Sequence, residues 1–183
     1  MKSSTNPPEN IVLIGFMGSG KTTVGRELQQ RLGYPLVDMD QEIEQRADKP
    51  ITAIFADEGE PVFRDMETEL LRELKDPEAP QRIISTGGGV VMREENRQLL
   101  RSLGYVVWLQ APAEVILERT GKNRSRPLLQ TEDPAEVIQR LMETRLPLYQ
   151  ETAHLKLDTA GLSCGEVTTG ILECARYFFT NPG

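Results

Sequence analysis

With 183 residues, 38% of them hydrophobic and 27% charged, the chain has the length of one globular domain with a full core. A net charge of -7 runs against a nucleic-acid-binding surface, and no apolar run approaches the roughly 18 residues of a membrane span. The two cysteines, Cys164 and Cys174, fall in one helix-patterned segment, which disfavours a disulfide and fits free thiols in a reducing cytoplasm.

Residues 1–10 are polar and lack an apolar h-region, so they read as a disordered tail and not as a secretory signal. A strand at 11–14 runs into Gly15-Phe16-Met17-Gly18-Ser19-Gly20-Lys21-Thr22, and a helix follows at 21–32, closed by Gly33. This is the phosphate-loop pattern G-x-x-x-x-G-K-[ST] with a strand before it and a helix after it. The glycines let backbone N–H groups turn toward phosphate oxygens at a helix N-terminus that already favours anions. Lys21 is expected to reach the β- and γ-phosphates, and the Thr22 hydroxyl to meet Mg²⁺.

A second strand at 36–38 leads into a charged, helix-rich stretch from 40 to 74, broken at Lys49-Pro50 and at Gly59-Glu60-Pro61. Strand 82–85 is followed by Gly87-Gly88-Gly89, and helix 94–102 leads through Gly104 to strand 105–109. A short helix at 113–120, a polar loop at 121–133, a long helix at 134–149, a strand at 155–157 and a helix at 165–179 complete the chain. Repeated βα units predict an α/β fold with a mostly parallel sheet covered on both faces. Ligands in such sheets gather beyond the carboxyl ends of the strands.

Those strand ends carry the candidate chemistry. Asp38 and Asp40 close the second strand; if the chain stays extended there, both carboxylates point to one side and serve a hydrated Mg²⁺ and a substrate hydroxyl. Asp40 equally suits the N-cap of a helix starting at Gln41. The third strand ends in Ser85, where a standard Walker B strand would supply the metal carboxylate, and Asp38 is taken as its substitute. The glycine triplet removes every side chain where backbone must approach a ligand. On the long helix, Val137, Leu141 and Leu148 form an apolar stripe on which Arg145 falls. On helix 61–74, Arg64 lies beside the face formed by Phe63, Met66, Leu70 and Leu74, with Glu60 and Glu67 spaced to hold its guanidinium. A charge on an apolar face must be paired or face a cleft, so the two arginines point to an anionic substrate. The cationic loop at 121–133 has the composition of a lid that brings an arginine onto a transferring phosphoryl group. His154 and Trp108 read as structural.

These residues together resemble the shikimate kinase family of bacterial aromatic biosynthesis. The resemblance spans about residues 10–178 and rests on the phosphate loop, Asp38-x-Asp40, Gly59-Glu60-x-x-Phe63-Arg64-x-x-Glu67, Ser85-Thr86-Gly87-Gly88-Gly89, Arg126-Pro127-Leu128-Leu129 and Arg145-x-x-Leu148-Tyr149. It implies a three-layer αβα fold with a five-stranded parallel sheet of order 2-3-1-4-5. The kinase domain would span 11–179, with a substrate-binding region at about 40–74, a lid at about 121–133 and a C-terminal tail at 180–183. It implies transfer of the ATP γ-phosphate to the 3-hydroxyl of shikimate, by a cytoplasmic monomer. Gly18, Ser19, Gly20, Lys21, Thr22, Thr23, Arg119 and Arg126 would hold the nucleotide, with Arg119 near adenine. Thr22 and, through water, Asp38 would hold Mg²⁺. Asp40, Gly87, Gly88 and Gly89 would hold the shikimate hydroxyls, and Arg64 and Arg145 its carboxylate. Lys21, Asp40 and Arg126 would be catalytic. Another small P-loop kinase, for gluconate or a nucleotide, is the rival enzyme, and a catalytically idle nucleotide-binding module is the rival of another class. A GTPase is disfavoured because no N/T-K-x-D motif is present.

Overall fold

The computed structural model describes residues 10–121 and 133–180. Five parallel strands, β1 (Asn10–Ile14), β2 (Leu36–Asp38), β3 (Ile83–Ser85), β4 (Gly104–Gln110) and β5 (Leu155–Asp158), form one sheet in the order β2-β3-β1-β4-β5. The expected order holds. Every residue of β1 is buried, as a central parallel strand with both faces covered requires. Its alternate side chains feed two cores. Ile11 and Leu13 join Ile83, Val107 and Leu109 under α1 (Lys21–Leu32) and α8 (Cys164–Thr180). Val12 and Ile14 join Ile84, Val106 and Trp108 on the opposite face, a division that follows from the two-residue period of a strand.

That second face is covered by α2 (Met39–Ala47), α4 (Glu60–Glu73), α5 (Glu94–Leu103) and α7 (Pro134–Thr152), with α3 (Ile51–Asp57) packed against α4. The breaks read at Lys49-Pro50 and Gly59 are where α2, α3 and α4 separate. A short α6 (Ala113–Thr120) follows β4. The chain passes to one side of β1 for β2 and β3 and to the other for β4 and β5. The order therefore reverses at β1, and the phosphate loop follows β1 at that reversal, the usual ligand position in an open α/β sheet.

Two expectations need correction. Asp38 and Asp40 do not both continue β2: the strand ends at Asp38, which caps α2 by accepting from the Gln41 N–H at 3.4 Å. Asp40 lies in the first helical turn, where a carboxylate also suits the helix dipole. The buried ridge of α7 is Ile138, Met142, Arg145, Tyr149 and Thr152, with Val137, Leu141 and Leu148 only partly buried beside it. Arg145 belongs to the buried ridge itself.

His154 is structural, as read. Its backbone N–H donates to the Val106 carbonyl at 2.8 Å, and its Nδ1 accepts from the Val106 N–H at 3.0 Å. The imidazole thus completes the pairing of β4 just before β5 begins. Cys164 and Cys174 are free thiols, and no described helix is long and apolar enough to cross a membrane.

Candidate active site

A cleft of about 810 Å³ opens beyond the carboxyl ends of β1, β2 and β3, within the range of small-molecule sites. Its nucleotide side is the loop from Gly15 to Lys21. Gly18 and Gly20 have φ of 77° and 96°, left-handed values that glycine adopts without strain. Gly20 caps α1 without a side-chain bond, and the first turn of α1 contains no acid. The opening N–H groups of the helix are thereby left facing a place fit for an anion. Lys21 is 8% exposed, and its ammonium donates to the carbonyls of Gly15 at 2.8 Å and Phe16 at 2.9 Å. The Ser19 hydroxyl is buried in the loop without a hydrogen-bond partner among the described residues.

Thr22, in the first turn of α1, donates its hydroxyl to Asp38 Oδ2 at 3.0 Å. Asp38 pairs in register with Ser85 of β3, so its carboxylate stands one strand to the side of a Walker B position and at the same height. Two hard oxygen donors thus meet beside the phosphate loop, a donor set suited to a hydrated Mg²⁺. Arg119, on α6, donates to the Gly18 carbonyl at 3.1 Å, which places it on the outer rim of the loop. Thr23 lines the same cleft. Arg126 lies outside the described residues, as does most of the segment read as a lid.

The other side of the cleft is built on the glycine triplet. A Cβ on Gly89 would stand 2.2–2.6 Å from the Arg64 guanidinium, and one on Gly87 would stand 2.6 Å from Glu67 Oε1 and 2.9 Å from Asp40 Oδ1. On Gly88 it would meet the Met17 N atom at 3.1 Å and Arg145 Nη1 at 3.6 Å. The triplet is therefore the surface on which the phosphate loop, both arginines and two carboxylates converge. Each glycine is needed for closeness of approach.

Arg64 is 7% exposed and Arg145 3% exposed. Arg64 donates to Glu67 Oε2 at 2.5 Å and to Glu60 Oε1 at 2.9 Å, as the spacing on α4 predicted. Burial works against its charge, but Glu67 and Glu60 outweigh that and hold its pKa above the ordinary value. The Arg145 guanidinium sits 5.5 Å from the centre of the Phe16 ring, and its Nε has no hydrogen-bond partner among the described residues. Two buried guanidiniums from facing helices are costly without anions to meet them.

Sequence reading treated Glu67 only as a brace for Arg64. It is fully buried, and burial pushes its carboxyl up to about 7 against the opposing pull of Arg64. Its Oε1 has no partner among the described residues and faces Gly87. Tyr149, also fully buried, donates its hydroxyl to the Gly88 carbonyl. No spacing rule reveals either role, because both depend on which loop packs against the helix.

The shikimate kinase family model matches residues 17–176. A shikimate kinase of Neisseria meningitidis serogroup C is 46% identical over 163 residues, 89% of this chain and 94% of that protein. One of Thioalkalivibrio sulfidiphilus is 45% identical over 172 residues, 94% of this chain and 88% of that protein. The structure of the Acinetobacter baumannii shikimate kinase in complex with shikimate superposes with a TM-score of 0.87 at 40% identity, covering 92% of this chain and 93% of that one. A gluconokinase of Sinorhizobium meliloti superposes at 0.58 with 19% identity, which reflects a shared fold alone. The phosphate loop, the acceptor cleft on its glycine turn and these matches agree: the chain belongs to the shikimate kinase family, and is an ATP-dependent kinase.

Proposed function

We propose that the chain transfers the γ-phosphoryl group of ATP to the 3-hydroxyl of shikimate, giving shikimate 3-phosphate and ADP. The observation that carries this is the convergence of Arg64 and Arg145, both buried, on one glycine turn beside the phosphate loop. An acceptor carrying a carboxylate would satisfy guanidinium donors there, through charge-assisted bonds of roughly 1.5–3 kcal/mol each. Shikimate is such an acceptor, and the Acinetobacter relative holds it.

In this reading the nucleotide lies along residues 18–23, with Arg119 near adenine. Lys21 exchanges its two carbonyl partners for phosphate oxygens, and Arg126 approaches from the lid. Thr22 and Asp38, the latter through water, would hold Mg²⁺, which supplies charge neutralisation on the phosphates. Phosphoryl transfer has a loose transition state, so positioning and charge placement dominate over base strength. Asp40 and the backbone of Gly87, Gly88 and Gly89 hold the acceptor hydroxyls, and Asp40 takes the proton of the reacting hydroxyl late. Arg64 and Arg145 fix the carboxylate, and Glu67 and Glu60 fix Arg64. The reaction runs in the cytoplasm with the monomer as the working unit.

The test is ADP formation with shikimate, gluconate, nucleoside monophosphates or no acceptor. Shikimate alone should give turnover well above the ATPase background. Turnover with gluconate or a nucleotide, and none with shikimate, would overturn the reading. Shikimate methyl ester should bind poorly, and Arg145→Ala should weaken the acid far more than the ester.

A further inference from the structure

We propose that Tyr149 and the Thr68–Asn96 pair are positioning residues. They tie the glycine turn to the two arginine-bearing helices, and so set the geometry at which Arg64 and Arg145 meet the acceptor anion. The inference rests on the reading of the acceptor given above.

Three successive glycines are the most expensive backbone to hold in one shape. Little within the turn itself holds it: Val90 N–H donates to the Gly87 carbonyl at 3.3 Å and Met92 N–H to the Gly89 carbonyl at 3.1 Å. Thr86 anchors the start of the turn to the Leu13 carbonyl and Arg97 donates to the Val91 carbonyl just beyond it, and two side chains reach the turn itself. The Tyr149 hydroxyl donates to the Gly88 carbonyl, and Asn96 Nδ2 donates to the Val90 carbonyl at 3.0 Å. Both residues are fully buried.

Each of these side chains leads to one arginine. Tyr149 stands four residues after Arg145 on α7, one turn along the same face. Its ring stacks on Trp108 at 5.7 Å, and burial pushes the phenol pKa up, which keeps the hydroxyl a donor. Asn96, on α5, accepts at Oδ1 from the Thr68 hydroxyl at 2.8 Å. Thr68 stands four residues after Arg64 on α4, and its hydroxyl lies 2.9 Å from the Arg64 carbonyl. Arg93 donates to the same hydroxyl at 3.2 Å. The links have the same form on both sides: a group one helical turn beyond the arginine reaches the backbone of the glycine turn, directly from Tyr149 and through Asn96 from Thr68.

If these bonds served stability alone, their loss would lower the melting temperature and leave substrate constants in place. Misplacing a binding group by a fraction of an ångström instead acts on the substrate it holds. The experiment measures the KM for shikimate and for ATP separately in Thr68→Val, Thr68→Ser and Tyr149→Phe, alongside each melting temperature. Thr68→Val and Tyr149→Phe should each raise the shikimate KM about tenfold with the ATP KM nearly unchanged. Thr68→Ser, which keeps the hydroxyl, should restore the wild-type value. An unchanged shikimate KM with a lowered melting temperature would overturn the proposal. So would a parallel rise of both KM values, or a Thr68→Ser protein that behaves like Thr68→Val. Should Tyr149→Phe not fold, the two Thr68 variants decide. Failure of the acceptor reading shows separately, in a wild-type protein that does not phosphorylate shikimate.

Discussion

Lys21 illustrates how a single side chain serves two partners. Its ammonium rests on the carbonyls of Gly15 and Phe16, so the glycine loop is held by the same charge that, in the proposed reaction, meets phosphate. Lys21→Ala should cut kcat by at least about 10²-fold, while the lost contacts of a charged donor cost roughly 1.5–3 kcal/mol each and the fold survives. A folded Lys21→Ala protein with near-normal kcat would contradict that role. Glu67 yields a prediction in pH. Its folded pKa of about 7 stands above the ordinary 4.5, so between these values the folded state binds more proton than the unfolded chain. The resulting stability is fully present below about pH 4.5 and is lost as pH rises through 7. Relative to Glu67→Gln, which cannot titrate, the wild type should lose stability across that window and hold level above it; a difference that stays flat in urea titrations would refute this. Lys21 was legible from its spacing alone, and Arg64 and Arg145 from a charge breaking an apolar pattern. Asn96 and Thr68 were not legible, because a polar residue on a polar-looking helix reveals its burial only when another helix covers it.

At the scale of the element, the glycine turn after β3 is defined by what surrounds it. Gly89→Ala forces a Cβ into the Arg64 guanidinium, so either the turn or the arginine must shift. Acceptor affinity should fall by about tenfold or more while ATP affinity holds; equal losses for both ligands would indicate general disruption of the cleft. The junction of β4 and β5 carries a second pH dependence of opposite sign. Burial lowers the His154 pKa, with Arg101 adding to the effect, and its Nδ1 must be unprotonated to accept from Val106. Here the unfolded chain binds more proton, so stability is lost as pH falls below the free histidine value of about 6.5. Melting curves of wild type and His154→Asn from pH 7 downward should therefore converge, with the wild type losing more; parallel curves would argue against the latch. Element boundaries were largely legible because glycine and proline punctuate the sequence at Gly33, Pro50, Gly59 and Gly104. The start of α2 was not, since either Asp38 or Asp40 fits a helix cap, and the Asp38–Gln41 bond settles which of them it is.

Taken whole, the molecule has a sheet with a core on each face and a cleft whose two halves meet at Gly88 and Met17. Ligands that bind only the folded state stabilise it by mass action: about 2.7 kcal/mol at roughly a hundred times the dissociation constant. For a chain of this size each kcal/mol moves Tm by about 2–4 °C. ADP with shikimate should therefore raise Tm by more than about 5 °C at such concentrations, and no shift with both present would rule out a shared cleft. The pairing of Asp38 with Ser85 bears on the shape of that cleft. Adjacent strands lie about 4.8 Å apart, so the acid on the edge strand β2 stands sideways by that distance from a Walker B position on β3. The end of β3 is left to Ser85 and Thr86, both small, uncharged and buried. An acceptor held as proposed would therefore meet backbone and small side chains at the end of β3, with the Asp38 carboxylate one strand to its side.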